Sequence, residues 1–306
     1  MLPPTDPATT SSQSVTATPR GLREREFALN WGRHDIEQRC GFRGGRYTSV
    51  NKLLTFLAAL LATVAFFALM AWLPNAWPAS APFSDIFLKR GLVQYPTMFF
   101  FFWGLAILWV KSRKLRFQMR SLELNAVPQE AGFELTRSSA RAVLERIHEL
   151  VDHPEHFLLF NRIERALSNL RNLGQVSDIT SILKVQSDND DEQIASSYSL
   201  VTGFIWAIPV LGFIGTVLGL SQAIGAFGLT IAGAGDLAVI KSSLQGVTGG
   251  LATAFETTLV ALVNALVLQL LTTFLQTREG EFLDSCNDYC HRNVVSRLRL
   301  ADTAAA

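Results

Sequence analysis

The sequence predicts an all-α, polytopic membrane protein with four transmembrane helices and a helical cytoplasmic domain. Of the 306 residues, 49% are hydrophobic and only 17% are charged. The charged residues are also unevenly placed, because they leave four long stretches almost empty and cluster beside their ends. The formal net charge of +1 gives no indication of a nucleic-acid or acidic partner.

The four apolar stretches have lengths that suit helices crossing a bilayer. Residues 53–73 are uncharged and would form about 31 Å of helix at roughly 1.5 Å per residue. Residues 93–110 form a second uncharged stretch, which is rich in Phe. Residues 200–227 form the third predicted span, and residues 250–275 form the fourth, which contains a single acid, Glu256.

The distribution of Lys and Arg predicts the orientation, because cytoplasmic loops carry the excess of both residues. The loops 74–92 and 228–249 hold only Lys89, Arg90 and Lys241. We therefore expect both termini and the segment between the second and third spans to be cytoplasmic. The cationic clusters on that side are Arg33, Arg39, Arg43, Arg46 and Lys52; Lys111, Arg113, Lys114, Arg116 and Arg120; and Arg278, Arg292, Arg297 and Arg299.

These boundaries divide the chain into five predicted parts. Residues 1–19 are rich in Pro, Thr and Ser and are expected to be disordered, and they lack the pattern of a signal peptide. The parts are a cytoplasmic N-terminal segment (1–50), a transmembrane hairpin (51–111), a helical cytoplasmic domain (112–199), a core with the third and fourth spans (200–276), and a cytoplasmic C-terminal helix and tail (277–306).

The cytoplasmic domain shows helical spacing of apolar residues at 138–150 and again at 157–173. The run around Pro154 separates the two helices, and Gly174 is expected to end the second. A further helix over 179–201 leads into the third span. It carries the acidic residues Asp188, Asp190, Asp191 and Glu192, which we expect on a solvated face; the alternatives are a docking patch for a basic partner and a cation funnel.

Small and hydroxyl residues form a stripe on each of the last two spans. Their spacing places the members of each set on one helical face. Such stripes serve either to pack two helices together or to line a pore, in which Thr hydroxyls can exchange hydrogen bonds with water or a carboxylate. The first stripe is Gly212, Thr216, Gly219 and Ala223, and the second is Gly250, Ala254, Thr257 or Thr258, Ala261 and Ala265.

Glu256 is the only acid inside a predicted span, and Asn264 follows it two turns later. A charge within the bilayer is costly, so such a residue usually faces a cavity or a partner. The pair is therefore a candidate ion relay. The alternative is structural hydrogen bonding near the interface.

The remaining polar clusters carry weaker signals. Cys40, Cys286 and Cys290 all fall on the predicted cytoplasmic side, so we expect reduced thiols. Cys286, Cys290 and His291 resemble half of a metal site, and His148, His153 and His156 flank Pro154, but we expect neither group to bind metal. The sequence contains no phosphate-binding loop, nucleophile elbow or HExxH motif, so no enzyme activity and no cofactor are expected.

The stripes carry a resemblance to a known family. The run WAIPVLGFIGTVLGL followed by SQAIGAF, and then GGLATAFETTLVALVNAL, resembles the MotA/TolQ/ExbB proton channel family. The resemblance covers about the last hundred and ten residues. The order and separation of the two motifs make it more specific than a single glycine-rich span.

The resemblance implies a fold and a function. Members are pentamers in the bacterial inner membrane, and each pentamer surrounds two copies of a single-span partner of the ExbD, TolR or MotB type whose membrane Asp carries the proton. The two pore threonines of the family match Thr216 and Thr258, with Thr257 adjacent, and Gly212, Gly219, Ala254 and Ala261 would complete the pore lining. Four spans resemble MotA, whereas the third-span motif is closer to ExbB and TolQ.

The implied function is a proton or sodium channel subunit, or stator, of a machine driven by the ion-motive force. Flagellar rotation, outer-membrane transport, envelope maintenance, gliding and defence against phage are all compatible with the sequence. The alternative is a non-conducting membrane scaffold or anchor oligomer that uses the same stripes only for assembly. In both cases the lipid bilayer is the surrounding medium, and no nucleic acid is expected to bind.

Overall fold

The computed structural model describes residues 27–299, except 40, 43, 46, 90, 129, 131, 169–175 and 233–236. The predicted disorder of residues 1–19, together with Cys40, Arg43, Arg46, Arg90 and the helix end at Gly174, lies outside the described residues. Within them the regular structure is helical, apart from two isolated bridges, which confirms the all-α class.

The described part of the chain contains ten α-helices. The predicted helix at 138–150 corresponds to α6, and the break around Pro154 is a 3₁₀ turn, Pro154–His156. The helices are α1 (Trp31–His34), α2 (Ile36–Arg39), α3 (Lys52–Ala76), α4 (Ala81–Leu88), α5 (Gln94–Met119), α6 (Arg137–Leu150), α7 (Leu158–Ser168), α8 (Val176–Ser197), α9 (Ser199–Ala232) and α10 (Leu237–Cys290).

Three described stretches are long and apolar enough to cross a membrane: Lys52–Ala76, Asp178–Gly228 and Ile240–Val295. They contain the first, third and fourth predicted spans. The second predicted span lies in α5, which is helical as expected but is not among the three. α5 begins with the polar run from Gln94 to Thr97 and reaches Lys111 after its apolar part. Its apolar stretch is therefore shorter than those of the other three predicted spans. The fourth transmembrane helix stays a prediction.

The two longest helices, α9 and α10, pack side by side along most of the membrane region. They run antiparallel, since Gly212 lies against Ala261 and Gly219 lies against Gly250. α5 covers one side of the pair. A Cβ on Gly104 of α5 would lie 2.6 Å from Leu268 of α10, and Phe100 of α5 stacks on Phe204 of α9 at 5.1 Å.

α10 is one continuous helix of 54 residues, about 80 Å long at roughly 1.5 Å per residue. It therefore passes without a break through the predicted boundary between residues 276 and 277. Beyond its apolar part, Phe282, Cys286 and Cys290 are buried in the core formed with α6, α7 and α8. The apolar helix pair and that core are thus joined by a single continuous helix.

The N-terminal segment is tied to α5 and to the end of α6 before the chain enters α3. The backbone N–H of Leu29 donates to the carbonyl of Leu150 at 3.2 Å. The backbone N–H of Trp31 donates to Asp152 Oδ1 at 2.8 Å. The indole of Trp31 is 1% exposed and packs on Phe117 of α5. These contacts fix one end of the predicted transmembrane hairpin.

The expectation of a solvated acidic face on α8 is wrong at one position. Asp190 is buried and accepts a hydrogen bond from Arg162 Nε at 2.7 Å. It follows Gln186 and precedes Ile194 at intervals of four residues, and all three are buried, so Asp190 lies on the inward face of the helix. Asp188, Asp191 and Glu192 are exposed as expected.

Candidate functional site

The two predicted stripes face each other across one seam between α9 and α10. A Cβ on Gly212 would lie 2.6 Å from the Cβ of Ala261. A Cβ on Gly219 would lie 2.6 Å from the carbonyl oxygen of Gly250 and 2.7 Å from the backbone nitrogen of Ala254. Distances this short mean that only glycine allows the two backbones to approach so closely.

The seam buries most of the residues predicted to line a pore. Gly212 and Gly219 are buried on α9. On α10, Ala254 is 5% exposed, Thr257 is 2% exposed and Ala261 is fully buried. Packing within one subunit therefore accounts for their small size. Their pore-lining role stays a prediction that depends on how subunits assemble.

The hydroxyls at the seam differ in accessibility. Thr257 is buried beneath Gly215, and its Oγ1 donates to the carbonyl of Thr253 at 2.8 Å. Thr258 is only half-buried, and its Oγ1 donates across the seam to the carbonyl of Gly212 at 3.0 Å.

Thr216 is the other half-buried hydroxyl of the stripes. It lies one turn beyond Gly212, and its Oγ1 donates to the carbonyl of Phe213 at 2.6 Å. A hydroxyl that donates its proton to the backbone still has lone pairs that can accept a hydrogen bond. Thr216 and Thr258 can therefore offer oxygen acceptors to water or to a protonated acid beside the seam.

The predicted relay residues have different environments. Asn264 is 9% exposed, and its Nδ2 lies 3.3 Å from Met98 Sδ of α5. Glu256 is half-buried on α10. Asn264 therefore packs against a neighbouring helix of the same chain, and the joint relay with Glu256 stays a prediction.

The outer faces of α9 and α10 are apolar and exposed. Trp206 is 73% exposed and Phe255 is 69% exposed, which is unusual for aromatic residues of a protein in water. Such faces suit lipid or neighbouring subunits. On α9 they comprise Trp206, Val210, Phe213, Ile214, Val217, Leu218, Leu220, Ile224 and Phe227, and on α10 Leu251, Phe255, Leu259, Leu262, Val263, Leu266, Val267, Leu270, Leu271 and Phe274.

A buried ionic cluster joins α5, α10 and the junction between α8 and α9 just beyond the predicted spans. Lys111 Nζ lies 3.2 Å from Glu279 Oε1, and both side chains are 1% exposed. Tyr198, between α8 and α9, donates its hydroxyl to Glu279 Oε2 at 2.6 Å. Lys111 also donates to Ser197 Oγ at 2.8 Å, and burial lowers the pKa of Lys111 although Glu279 opposes the shift.

The sequence pattern marks Lys111 only as one of the cytoplasmic cations. A signal for its burial does exist, because Gly104, Ile107, Lys111, Lys114 and Gln118 share one face of α5, and that face is apolar where it begins. The sequence could not identify the acid that would pair with it, since Glu279 lies far along the chain on a different helix.

Cys286 and Cys290 lie one turn apart near the end of α10, and the expected absence of a metal there stays a prediction. Cys286 and Cys290 are buried free thiols, and His291 is exposed. The expected reduced state of these two cysteines agrees with the structure.

Comparison with known proteins identifies the region that contains these helices. No curated protein and no solved structure matches the chain. Residues 152–287 match the model of the MotA/TolQ/ExbB proton channel family. The matched segment begins just after α6 and runs through α7, α8, α9 and most of α10. It therefore includes the seam and Glu279, the buried partner of Lys111. Residues 152–287 of this chain therefore belong to the MotA/TolQ/ExbB proton channel family, which implies a proton channel role in a membrane energiser complex.

Proposed function

We propose that this protein is the channel subunit of an ion-driven energiser of the bacterial inner membrane, with both termini in the cytoplasm. Five copies surround two copies of a single-span partner, and the partner supplies a membrane Asp. Protons, or sodium ions, pass between that Asp and the half-buried hydroxyls of this chain. The family match over residues 152–287 supports the class of machine.

The observation that carries the proposal is the placement of Thr216 and Thr258 at the α9–α10 seam. The helices approach so closely that a Cβ on Gly219 would collide with backbone atoms, yet these two hydroxyls remain half-buried and keep free acceptor lone pairs. A rigid wall with fixed oxygen acceptors suits transfer from a neighbouring carboxyl group.

The titrating group is assigned to the partner because the predicted spans of this chain contain no Asp. An ion crossing the bilayer yields roughly 2.3 kcal/mol per 100 mV of membrane potential. That energy can turn or rearrange the partner within the ring of subunits. The continuous helix α10 can then carry the movement to the cytoplasmic core.

The exposed apolar faces of α9 and α10 support assembly into a ring. These apolar faces can contact neighbouring subunits on either side as well as lipid. Native mass spectrometry of the complex, extracted with its partner, is expected to show five copies of the 33.7 kDa chain. Any other copy number would contradict the proposed assembly.

A non-conducting scaffold is the second candidate, and one observation favours it. The residues of both stripes already pack against each other within one chain, so assembly alone can account for them. The two functions differ in one measurable property. A scaffold shows no ion flux with its partner present, and Thr216→Val then changes only stability.

A further inference from the structure

The 3₁₀ turn between α6 and α7 brings three metal-ligating side chains together. His153 Nδ1 lies 3.0 Å from Glu155 Oε1, and His156 Nδ1 lies 3.5 Å from the same oxygen. The ligand atoms of the three residues all lie within 4.8 Å of one another. The sequence pattern predicts these histidines to be surface residues without a metal, and it groups them with His148.

We propose that His153, Glu155 and His156 form a binding site for a divalent transition-metal ion of the Zn²⁺ class. Ligands 2.0–2.1 Å from a tetrahedral Zn²⁺ lie roughly 3.3–3.4 Å apart. The two His–Glu separations of 3.0 and 3.5 Å bracket that value. Two imidazoles and one carboxylate leave the fourth position to water, and imidazole with carboxylate is a donor set that Zn²⁺ accepts.

The backbone of the turn aligns the two imidazoles. The N–H groups of His156 and Phe157 donate to the carbonyls of His153 and Pro154, both at 3.1 Å, which is the i to i+3 pattern of a 3₁₀ helix. Side chains three residues apart eclipse each other in this geometry. The imidazole rings accordingly lie 5.6 Å apart.

The turn is also held from outside. Gln118 of α5 donates from Nε2 to the carbonyl of His156 at 2.6 Å and accepts from the N–H of Leu158 at 3.1 Å. At the other end, the N–H of His153 donates to Asp152 Oδ1 at 3.0 Å. A site whose backbone is fixed before the ion arrives loses little conformational entropy on binding.

The charge of the site suits a cation. Glu155 places a carboxylate between the two imidazoles, 3.0 Å from His153 Nδ1 and 3.5 Å from His156 Nδ1. Glu155 and His153 are half-exposed and His156 is one-fifth exposed, so an ion can reach them from solvent.

The site lies next to the anchor of the N-terminal segment. The His156 ring is 5.4 Å from the indole of Trp31, and Asp152, which accepts from the N–H of Trp31, precedes the first ligand. A bound ion would stiffen the turn on which that segment rests. The inference does not depend on the proposed channel function.

The test uses the full chain in detergent, without a histidine tag, stripped of metal and titrated with Co²⁺ alone. Co²⁺ reports coordination by visible absorption, and Zn²⁺ then competes for the same site. We expect one equivalent to bind to the wild-type protein. His153→Gln and Glu155→Gln should each weaken binding at least about tenfold, which is the scale found even for outer-shell partners of metal ligands.

His148→Gln is the matched control. His148 is an exposed histidine of α6 whose Nδ1 lies 2.9 Å from the carbonyl of Leu144, outside the cluster. We expect this variant to bind as the wild type does. Zn²⁺ should also raise the melting temperature of the wild type and of His148→Gln, but not that of His153→Gln. Absence of binding, or equal binding by wild type and His153→Gln, would overturn the proposal.

Discussion

Single atoms at the α9–α10 seam decide how closely the two helices pack. Gly219 has backbone atoms of α10 within 2.6 and 2.7 Å of its would-be Cβ, whereas no atom of the described residues lies within 4 Å of the corresponding point at Gly225. Backbone atoms cannot rotate away as a flexible side chain can. Gly219 therefore sets how closely the two helices approach, whereas Gly225 does not.

Gly219→Ala is expected to destabilise the protein by about 1–3 kcal/mol, because the helices must separate to admit one methyl group. Gly225→Ala, the matched control, should be neutral or slightly stabilising, since alanine favours the helix. Melting temperatures in detergent check both. Equal stability of the two variants would show that the close approach at Gly219 is absent.

Asp35 and Glu37, two neighbouring acids in the N-terminal segment, have different roles. Glu37 is fully buried and accepts from Lys114 Nζ at 2.7 Å, from the N–H of Asn51 at 2.7 Å and from that of Gly45 at 3.1 Å. Asp35 is also buried, but its Oδ2 has no hydrogen-bond partner among the described residues. Burial raises the pKa of Asp35 above 3.8, and the charge of Lys114 only partly offsets the rise.

A raised pKa in the folded state means that Asp35 favours folding when it is protonated. Its contribution is complete below pH 3.8 and is lost as the pH rises through the higher folded value. Asp35→Asn should therefore gain stability relative to wild type as the pH increases from about 4 to 8. Melting temperatures of both proteins across this range measure the difference, and a constant difference would contradict the assignment.

Glu37→Gln is the matched comparison at the same site. It leaves the buried Lys114 without its closest anion, and removal of one partner from a buried ion pair costs roughly 3–5 kcal/mol. We expect this variant to be destabilised at pH 7, where Asp35→Asn is not. If Glu37→Gln were as stable as wild type, the ionic contact with Lys114 would have no structural role.

Residue patterns predicted the seam but not the buried charges. Small residues at helical spacing are visible in the sequence, and their burial follows from the need for close approach. Lys111 and Glu279, or Arg162 and Asp190, are different, because each burial depends on a partner on a distant helix. The sequence predicts that Asp190 belongs to an acidic cluster, but only tertiary packing turns it toward Arg162.

At the scale of whole helices, most boundaries were predictable. The helix at 138–150, the break around Pro154 and the apolar helices at 53–73, 200–227 and 250–275 correspond to described elements. The continuity of α10 was not predictable, because residues 276–290 lose apolar character and include Gly280, a residue type that often ends a helix. A change in polarity marks where a helix leaves an apolar environment, and it does not end the helix.

Orientation of these elements can be tested with single cysteines in a background in which Cys40, Cys286 and Cys290 are replaced by Ala. Ala79, between α3 and α4, and Glu145, on α6, are both exposed. Because residues 74–92 hold only two cations, Lys89 and Arg90, the predicted orientation places this loop outside the cytoplasm, and Ala79→Cys should react with an impermeant maleimide from outside the membrane. Glu145→Cys should react only after permeabilisation, and the reverse pattern would contradict the predicted topology.

In the whole molecule, one long helix, α10, joins the close-packed apolar pair α9–α10 to the core formed with α6, α7 and α8. The family match covers the pair and much of that core, whereas α3, α4 and α5 lie outside it. α5 nevertheless supplies Gly104 and Lys111 to contacts with α10. The segment before the matched region is therefore part of the same packed structure.

The most direct test of the central claim is proton flux into proteoliposomes that contain this chain and its single-span partner. The variants are Thr216→Val and Thr258→Val, and the control is Thr63→Val, a buried threonine of α3 whose hydroxyl donates to the carbonyl of Ala59. We predict that flux falls at least about a hundredfold in both seam variants, the lower end for loss of positioned proton-transfer groups, and is unchanged in the control. Wild-type flux in both Thr216→Val and Thr258→Val, or no flux from the wild-type complex, would contradict the account.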